Sequence, residues 1–378
     1  MILRIICLLL ILFGGATRHI GGSVDEPEIS TLTRPDIFLI GVANGGTLPL
    51  NALMRQNPQI CSYDTAEKHF FDSEEQWRKG FRYYEELYSA CSDDELVIDS
   101  TPVFHFQGVP ARLDAAYTPS ELVKKRFILI LREPVSREFS AFQHRMQACI
   151  NYVTKSILIG TKTVMDRARH SCSNILHFHH NDRIDEYTPS TFREFYENGH
   201  MNLQDGEYES HLRNWLQSIN RAQIFILNMD TLLANTSDTM IRLRIFLGLK
   251  QGWVVRQGKV DVPLPLPRVE ENFQIKSILD CETYDQLWGY YADKNQRLLN
   301  LIDTKFKPIV EPRFVQFEKP KGACVTKEME RLRMCYAKLQ RDVDCTLTHG
   351  QWTFGYNLAY KFAPVMSKNL RYSCNITN

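Results

Sequence analysis

Pro35-Asp-Ile-Phe-Leu-Ile-Gly-Val-Ala-Asn-Gly-Gly-Thr47 decides the fold. Its apolar run, residues 37–42, has the length of a buried parallel strand. It empties into Gly45, Gly46 and Thr47 before Leu48-Pro-Leu-Asn-Ala-Leu53 takes up helical spacing. Strand, glycine turn and helix start make a phosphate cradle, because glycines let successive backbone N–H groups point into one concavity and the helix adds its positive N-terminal end. The lysine of a nucleotide P-loop is missing, and Gly46 stands where it belongs, so the likeness to a Walker motif is confined to the backbone and a nucleotide kinase is disfavoured. Taken alone, the stretch reads equally well as a plain turn after a strand, and the neighbouring segments decide.

Working outward, three further short apolar runs read as buried strands: Leu96-Val-Ile-Asp-Ser-Thr-Pro102, Arg126-Phe-Ile-Leu-Ile-Leu-Arg132 and Ala222-Gln-Ile-Phe-Ile-Leu227. Helical patterns lie between them, over 48–56, 73–91, 207–216, 239–247 and 283–303, and Thr118-Pro-Ser-Glu121 carries a helix-capping signal. Strands alternating with helices imply a parallel sheet with right-handed crossovers, hence an α/β fold. In such sheets ligands bind at the C-terminal edge of the strands. Arg132 is placed at that edge, with Ser136, Arg137 and Ser140 on the turn and helix beyond it; the competing reading pairs the arginine with Glu133 or Glu138 on the surface. Thr65-Ala-Glu-Lys-His-Phe-Phe-Asp72 carries Glu67 and His69 and closes on two aromatics, and its bland reading is a solvated loop plugged by Phe70 and Phe71.

Residues 147–206 read as a polar insertion of short helices without a strand. They hold Cys149, Cys172 and the cluster His177-Phe-His-His180, which lacks acidic or cysteine partners at ligand spacing, so no metal is expected. Residues 251–271 read as a loop over the sheet edge, and acceptor specificity is expected in this loop and in the insertion 147–206. Beyond residue 305, Cys324, Cys335, Cys345 and Cys374 suggest a small disulfide-stapled extension over 306–378.

The chain has 378 residues, 44% hydrophobic and 24% charged, enough for one large α/β domain or two ordinary ones. A formal charge of +1 supplies no global field, so an anionic partner must be met by local clusters, and no nucleic-acid partner is expected. Residues 1–16 combine Arg4, an apolar run through Phe13 and Gly14-Gly-Ala16, the pattern of a signal peptide or a signal anchor that would hold the chain on a membrane; 17–34 then serve as a stem. Ten cysteines fit an oxidising compartment. Setting Cys7 aside leaves nine, an odd number that implies a free thiol or an intermolecular bridge. Asn235-Thr-Ser and Asn375-Ile-Thr are glycosylation sequons.

In order along the chain, Gly41 to Thr47, Glu67-x-His69-Phe-Phe-Asp72, Asp99-Ser-Thr-Pro102, Leu131-Arg-Glu-Pro-Val-Ser-Arg-x-x-Ser140, Tyr208-x-x-His211-Leu-x-x-Trp215 and Phe246-Leu-Gly-Leu249 form a set. This set resembles the Golgi carbohydrate sulfotransferases, most closely the heparan sulfate 3-O-sulfotransferase and N-sulfotransferase branch, over roughly residues 35–302, within a domain read as 35–305. The resemblance implies a P-loop-like α/β sulfotransferase fold in the Golgi lumen, with 3'-phosphoadenosine-5'-phosphosulfate as donor and a glycan, such as a glycosaminoglycan, as acceptor. By motif position Gly45, Gly46 and Thr47 hold the 5'-phosphosulfate, Arg132 and Ser140 the 3'-phosphate, and Glu67 is the base with His69 orienting it. The resembled proteins carry lysine where this chain has Asn44, and the 3-O branch a second lysine where it has Ser100. Asn44 is then the hydrogen-bond donor left for the bridging oxygen, with Lys68, Arg137 or Lys259 as candidate substitute cations. Two readings stand: a working sulfotransferase, and a protein of that fold that binds nucleotide or glycan without turnover.

Overall fold

A computed structural model describes residues 33–62, 67–180, 183–250, 255–256, 259–260, 279–306, 317 and 324. In chain order its strands are β1 (Ile37–Gly41), β2 (Ile60–Cys61), β3 (Leu96–Asp99), β4 (Arg126–Leu131), β5 (Leu176–Phe178), β6 (Tyr187–Pro189) and β7 (Ile224–Asn228), with a short pair at Val255–Arg256 and Lys259–Val260. The central sheet runs β2-β3-β1-β4-β7, and each adjacent pair is parallel. The unbroken apolar runs of β1 and β4 follow from burial on both faces. Phe38, Ile40, Phe127 and Leu129 pack on one side with Phe70, Tyr84 and Trp215, while Ile37, Leu39, Ile128 and Ile130 pack on the other with Leu50, Leu53 and Leu243. The α/β expectation is met.

Helices cover both faces. They are α1 (Thr47–Met54), α2 (Glu74–Trp77), α3 (Phe81–Glu86), α4 (Val109–Ala116), α5 (Pro119–Leu122), α6 (Pro134–Ile159), α7 (Lys162–Cys172), α8 (Phe192–Glu197), α9 (Tyr208–Ser218), α10 (Met229–Ala234), α11 (Thr236–Leu247) and α12 (Cys281–Lys305). Thr118 and Glu121 form the expected capping box on α5, and Gly248 ends α11 in the left-handed region. The single helix expected over 73–91 is instead α2 and α3, separated at Gly80, whose φ of 85° few side chains tolerate.

The insertion is also corrected. α6 is one continuous helix of 26 residues that crosses the expected boundary at 147, and β5 and β6 form an antiparallel hairpin where no strand was expected. A third apolar cluster joins α6, α7, α8 and α12 there, including Phe142, Val153, Phe192 and Tyr291. His177, His179 and His180 are occupied locally: His177 with Ser190, His179 with Thr188 and His180 with Glu186.

Disulfides join Cys61 to Cys91, Cys149 to Cys172 and Cys281 to Cys324, so the C-terminal segment is stapled to the first residue of α12. Cys335, Cys345, Cys374 and most of the loop 251–271 lie outside the described residues. The membrane expectation needs correction: among the described residues no helix is long and apolar enough to cross a membrane, and residues 1–16, on which that expectation rested, lie outside them.

Candidate active site

Everything chemically notable gathers at the C-terminal edge of the sheet. β1 ends at Gly41, Val42 N–H donates to the Ile130 carbonyl of β4 (2.7 Å), and Gly45 N–H donates back to the Val42 carbonyl (2.8 Å), which closes the turn. Gly46, at φ 106°, is the N-cap of α1 and offers no capping side chain, so the first-turn amides of α1 receive no side-chain cap from it. The glycines are required by packing as well. A Cβ on Gly45 would stand 2.5 Å from Val42 Cγ2 and 2.8 Å from the Val42 carbonyl, and one on Gly46 would stand 2.9 Å from Met229 Sδ.

Asn44 sits at φ 60°, a conformation asparagine accepts more readily than lysine does. Its carbonyl accepts from Arg132 Nη1 (3.2 Å), and among the described residues its side-chain amide has no hydrogen-bond partner. Arg132 therefore lies against the cradle. Burial pulls the Arg132 guanidinium below its ordinary pKa, against the opposing pull of Tyr208 and Asp230, and no carboxylate among the described residues pairs with it. The carboxylates that sequence offered as its partners are committed elsewhere: Glu133 caps α6 by accepting from Val135 N–H, Ser136 N–H and Ser136 Oγ, and Glu138 pairs with Arg137. A partly desolvated cation that no carboxylate contacts directly, beside a helix start without a side-chain cap, fits an anion. Ser140 lies on α6, half-buried, and no hydrogen bond ties it to Arg132 among the described residues.

The second group is an arm without regular secondary structure, residues 67–72. Glu67 Oε2 meets His69 Nε2 at 3.1 Å, and His69 Nδ1 meets Asp72 Oδ2 at 2.7 Å. Partial burial of the Glu67 side chain, which keeps 34% of its surface, raises its pKa despite the opposing charge of His69. For His69, burial pulls the pKa down, but the hydrogen bond and charge of Asp72, then those of Glu67, outweigh it and raise the value. Phe70 and Phe71 do plug the core, as the bland reading expected, while Glu67 and His69 are linked rather than merely solvated. Asp72 is the partner of His69 to which sequence reading gave no role; the available signal was its place three residues after His69, behind two buried aromatics.

The arm and the cradle meet at the end of β3. Lys68 N–H donates to Thr101 Oγ1 (2.9 Å), and Asn51 Nδ2 of α1 donates to Ser100 Oγ (3.1 Å). His144 of α6 faces Glu67, and His105, beyond β3, faces Asp72, Asp205, His211 and Arg137; burial lowers the pKa of His105. Of the candidate substitute cations, Arg137 is 3% exposed and tied to Glu138, and Lys68 Nζ lies 5.9 Å from the Tyr88 ring centroid. The side chain of Lys259 is outside the described residues.

The sulfotransferase domain family matches residues 34–261. The chain belongs to that family. Family membership carries 3'-phosphoadenosine-5'-phosphosulfate as co-substrate, and the donor set described above suits its phosphates. Among similar curated proteins, this chain is 25% identical over 245 residues to mouse heparan sulfate glucosamine 3-O-sulfotransferase 3A1, covering 61% of this chain and 52% of that one. It is 25% identical over 222 residues to human heparan sulfate glucosamine 3-O-sulfotransferase 3B1, covering 57% and 47%. The chain thus spans about half the length of the curated relatives it matches. A solved sulfotransferase from Alicyclobacillus acidocaldarius aligns with a TM-score of 0.45 and 20% identity, over 72% of this chain and 96% of that one.

Proposed function

We propose that this sulfotransferase moves a sulfuryl group from 3'-phosphoadenosine-5'-phosphosulfate to a hydroxyl or amine of a glycan, in the Golgi lumen, with Glu67 as the general base. The observation that carries the reading is Arg132: a half-buried guanidinium that forms no salt bridge with a carboxylate among the described residues, set against the glycine turn. In this reading the amides at Gly45, Gly46 and Thr47 hold the 5' end of the donor, and Arg132 with Ser140 holds the 3'-phosphate. The acceptor oxygen or nitrogen bonds to sulfur as the bond from sulfur to the phosphate oxygen breaks, and the acceptor proton passes to Glu67. His69, anchored by Asp72, fixes the carboxylate so that its free oxygen faces the acceptor. The Asn44 amide donates to the departing oxygen in place of a cation. Three disulfides support a lumenal address, and the heparan sulfate relatives make a glycosaminoglycan of that branch the first acceptor to try.

The test is incubation of the purified chain with labelled donor and a panel of glycosaminoglycans and neutral glycans. Labelled product is expected, and a folded protein that labels none of them refutes the transferase reading. A specific observation favours a second reading, binding without turnover: Asn44 and Ser100 stand where the lysines of relatives are expected, and Ser100 is occupied by Asn51. Loss of one well-placed transition-state donor costs about 10²- to 10³-fold in rate. Under the second reading, Asn44→Lys creates activity that the natural chain lacks; under the first, the natural chain already turns over.

A further inference from the structure

The Glu67 arm belongs to no helix or strand, and His69 within it has a φ of 50°. A base must be held within a fraction of an ångström to be useful, so something outside the arm must fix it. Its far end is anchored by packing: Phe70 stacks on Tyr84 with ring centroids 4.5 Å apart, and Arg112 Nη1 donates to the Phe71 carbonyl at 2.9 Å. At the end next to Glu67, one tie is the hydrogen bond from Lys68 N–H to Thr101 Oγ1 (2.9 Å).

The direction of that bond fixes the rest. An amide N–H can only donate, so the Thr101 hydroxyl accepts there and gives its own proton to Asp99 Oδ1, 2.5 Å away. The same carboxylate oxygen accepts from Thr101 N–H (2.9 Å), and Asp99 Oδ2 accepts from the Tyr84 phenol (2.5 Å). Burial first, then the Asp99 charge, raises the Tyr84 pKa well above its ordinary value, so the phenol stays a donor. Tyr84, Asp99 and Thr101 are all buried, where hydrogen bonds to a charged carboxylate are strong and stiff. One residue earlier, Ser100 Oγ takes the Asn51 amide from α1, in the helix that opens at the cradle.

We propose that Thr101, oriented by Asp99, is a positioning residue for the Glu67 arm, and that the Ser100–Thr101 pair sets the base in register with the donor cradle. This rests on Glu67 being the base. Two adjacent residues at the end of β3 hold the two halves of the site, one by each hydroxyl. A role confined to capping β3 would affect stability alone.

The test compares Thr101→Val with Thr101→Ser in the full chain. Thr101→Ser keeps the hydroxyl and should match the natural protein. Thr101→Val should lower kcat about 10- to 100-fold with the donor KM changed less than twofold. In parallel, the His69 imidazole is titrated by NMR. Its surroundings are Asp72 and Glu67 on its own arm, with His144 of α6 towards Glu67 and His105 towards Asp72. In Thr101→Val its pKa should fall back towards the ordinary 6.5 as Glu67 moves away, and in Thr101→Ser it should not. An unchanged kcat and unchanged titration in Thr101→Val, or equal losses in both variants, overturns the proposal. If the natural chain transfers no sulfuryl group, the transferase reading fails and the titration alone decides on Thr101. If Thr101→Val does not fold, amide exchange in the natural protein decides: Lys68 should exchange at least about tenfold more slowly than Glu67 and His69, and equal rates overturn the proposal.

Discussion

In the proposed mechanism Glu67 and Arg132 divide the chemistry, and their substitutions should fail differently. Glu67→Gln should lower kcat by about 10²- to 10⁴-fold while donor affinity stays within twofold, because the base acts on the acceptor proton. Because the folded Glu67 pKa is raised, the base becomes protonated at a higher pH than an ordinary carboxylate would. The acid limb of kcat/KM should therefore lie above pH 4.5, and a pH–rate profile locates it. Arg132→Ala should instead weaken binding of the desulfated nucleotide by about 10- to 100-fold, read by calorimetry, since a charge-assisted bond to phosphate contributes roughly 1.5–3 kcal/mol. Glu67, His69 and Arg132 were legible as candidates through the ordered motifs. Asp72 was not, because a carboxylate three residues from a histidine reads as solvated until its partner is seen. Arg137 looked available for the same reason, and its burial against Glu138 is a tertiary fact that no local pattern announces.

At the scale of elements, the glycine turn is the tightest joint. Gly45→Ala would drive a methyl towards the backbone carbonyls of Val42 (2.8 Å) and Ile130 (3.2 Å), neither of which can rotate away. A loss of about 1–3 kcal/mol is expected in a denaturant melt, together with weaker donor binding. The strands β1, β3, β4 and β7 were readable because each is a short run buried on two faces. β2 escaped because two residues, Ile60 and Cys61, are too few to show a period. The β5–β6 hairpin escaped because each strand has only three residues, too few to show a period. The break between α2 and α3 was written in Gly80, but a lone glycine within apolar spacing is ambiguous without its φ.

For the molecule as a whole, pH and redox state act on separable parts. His69 has a raised folded pKa, so its contribution to stability is fully present below the unfolded value of 6.5 and is lost as pH rises through the folded value. Thermal melts of the natural chain and His69→Gln should converge as pH increases across that window. Fold class was legible from the alternation of strands and helices, and the disulfide partners were not, since spacing alone cannot say which cysteines meet.

The Cys61–Cys91 bond has a consequence of its own. It closes a covalent ring, and the whole of the Glu67–Asp72 arm lies inside that ring, whereas Gly41 to Thr47, Arg132 and Ser140 lie on open chain outside it. The donor half and the base half of the chemistry therefore answer to different reagents. A Cys61→Ser/Cys91→Ser chain should lose about 2–4 kcal/mol of stability and most of its transfer rate, yet still hold the desulfated nucleotide. Calorimetry beside a turnover assay would show the two losses parting company, and a parallel loss of nucleotide binding would contradict the division.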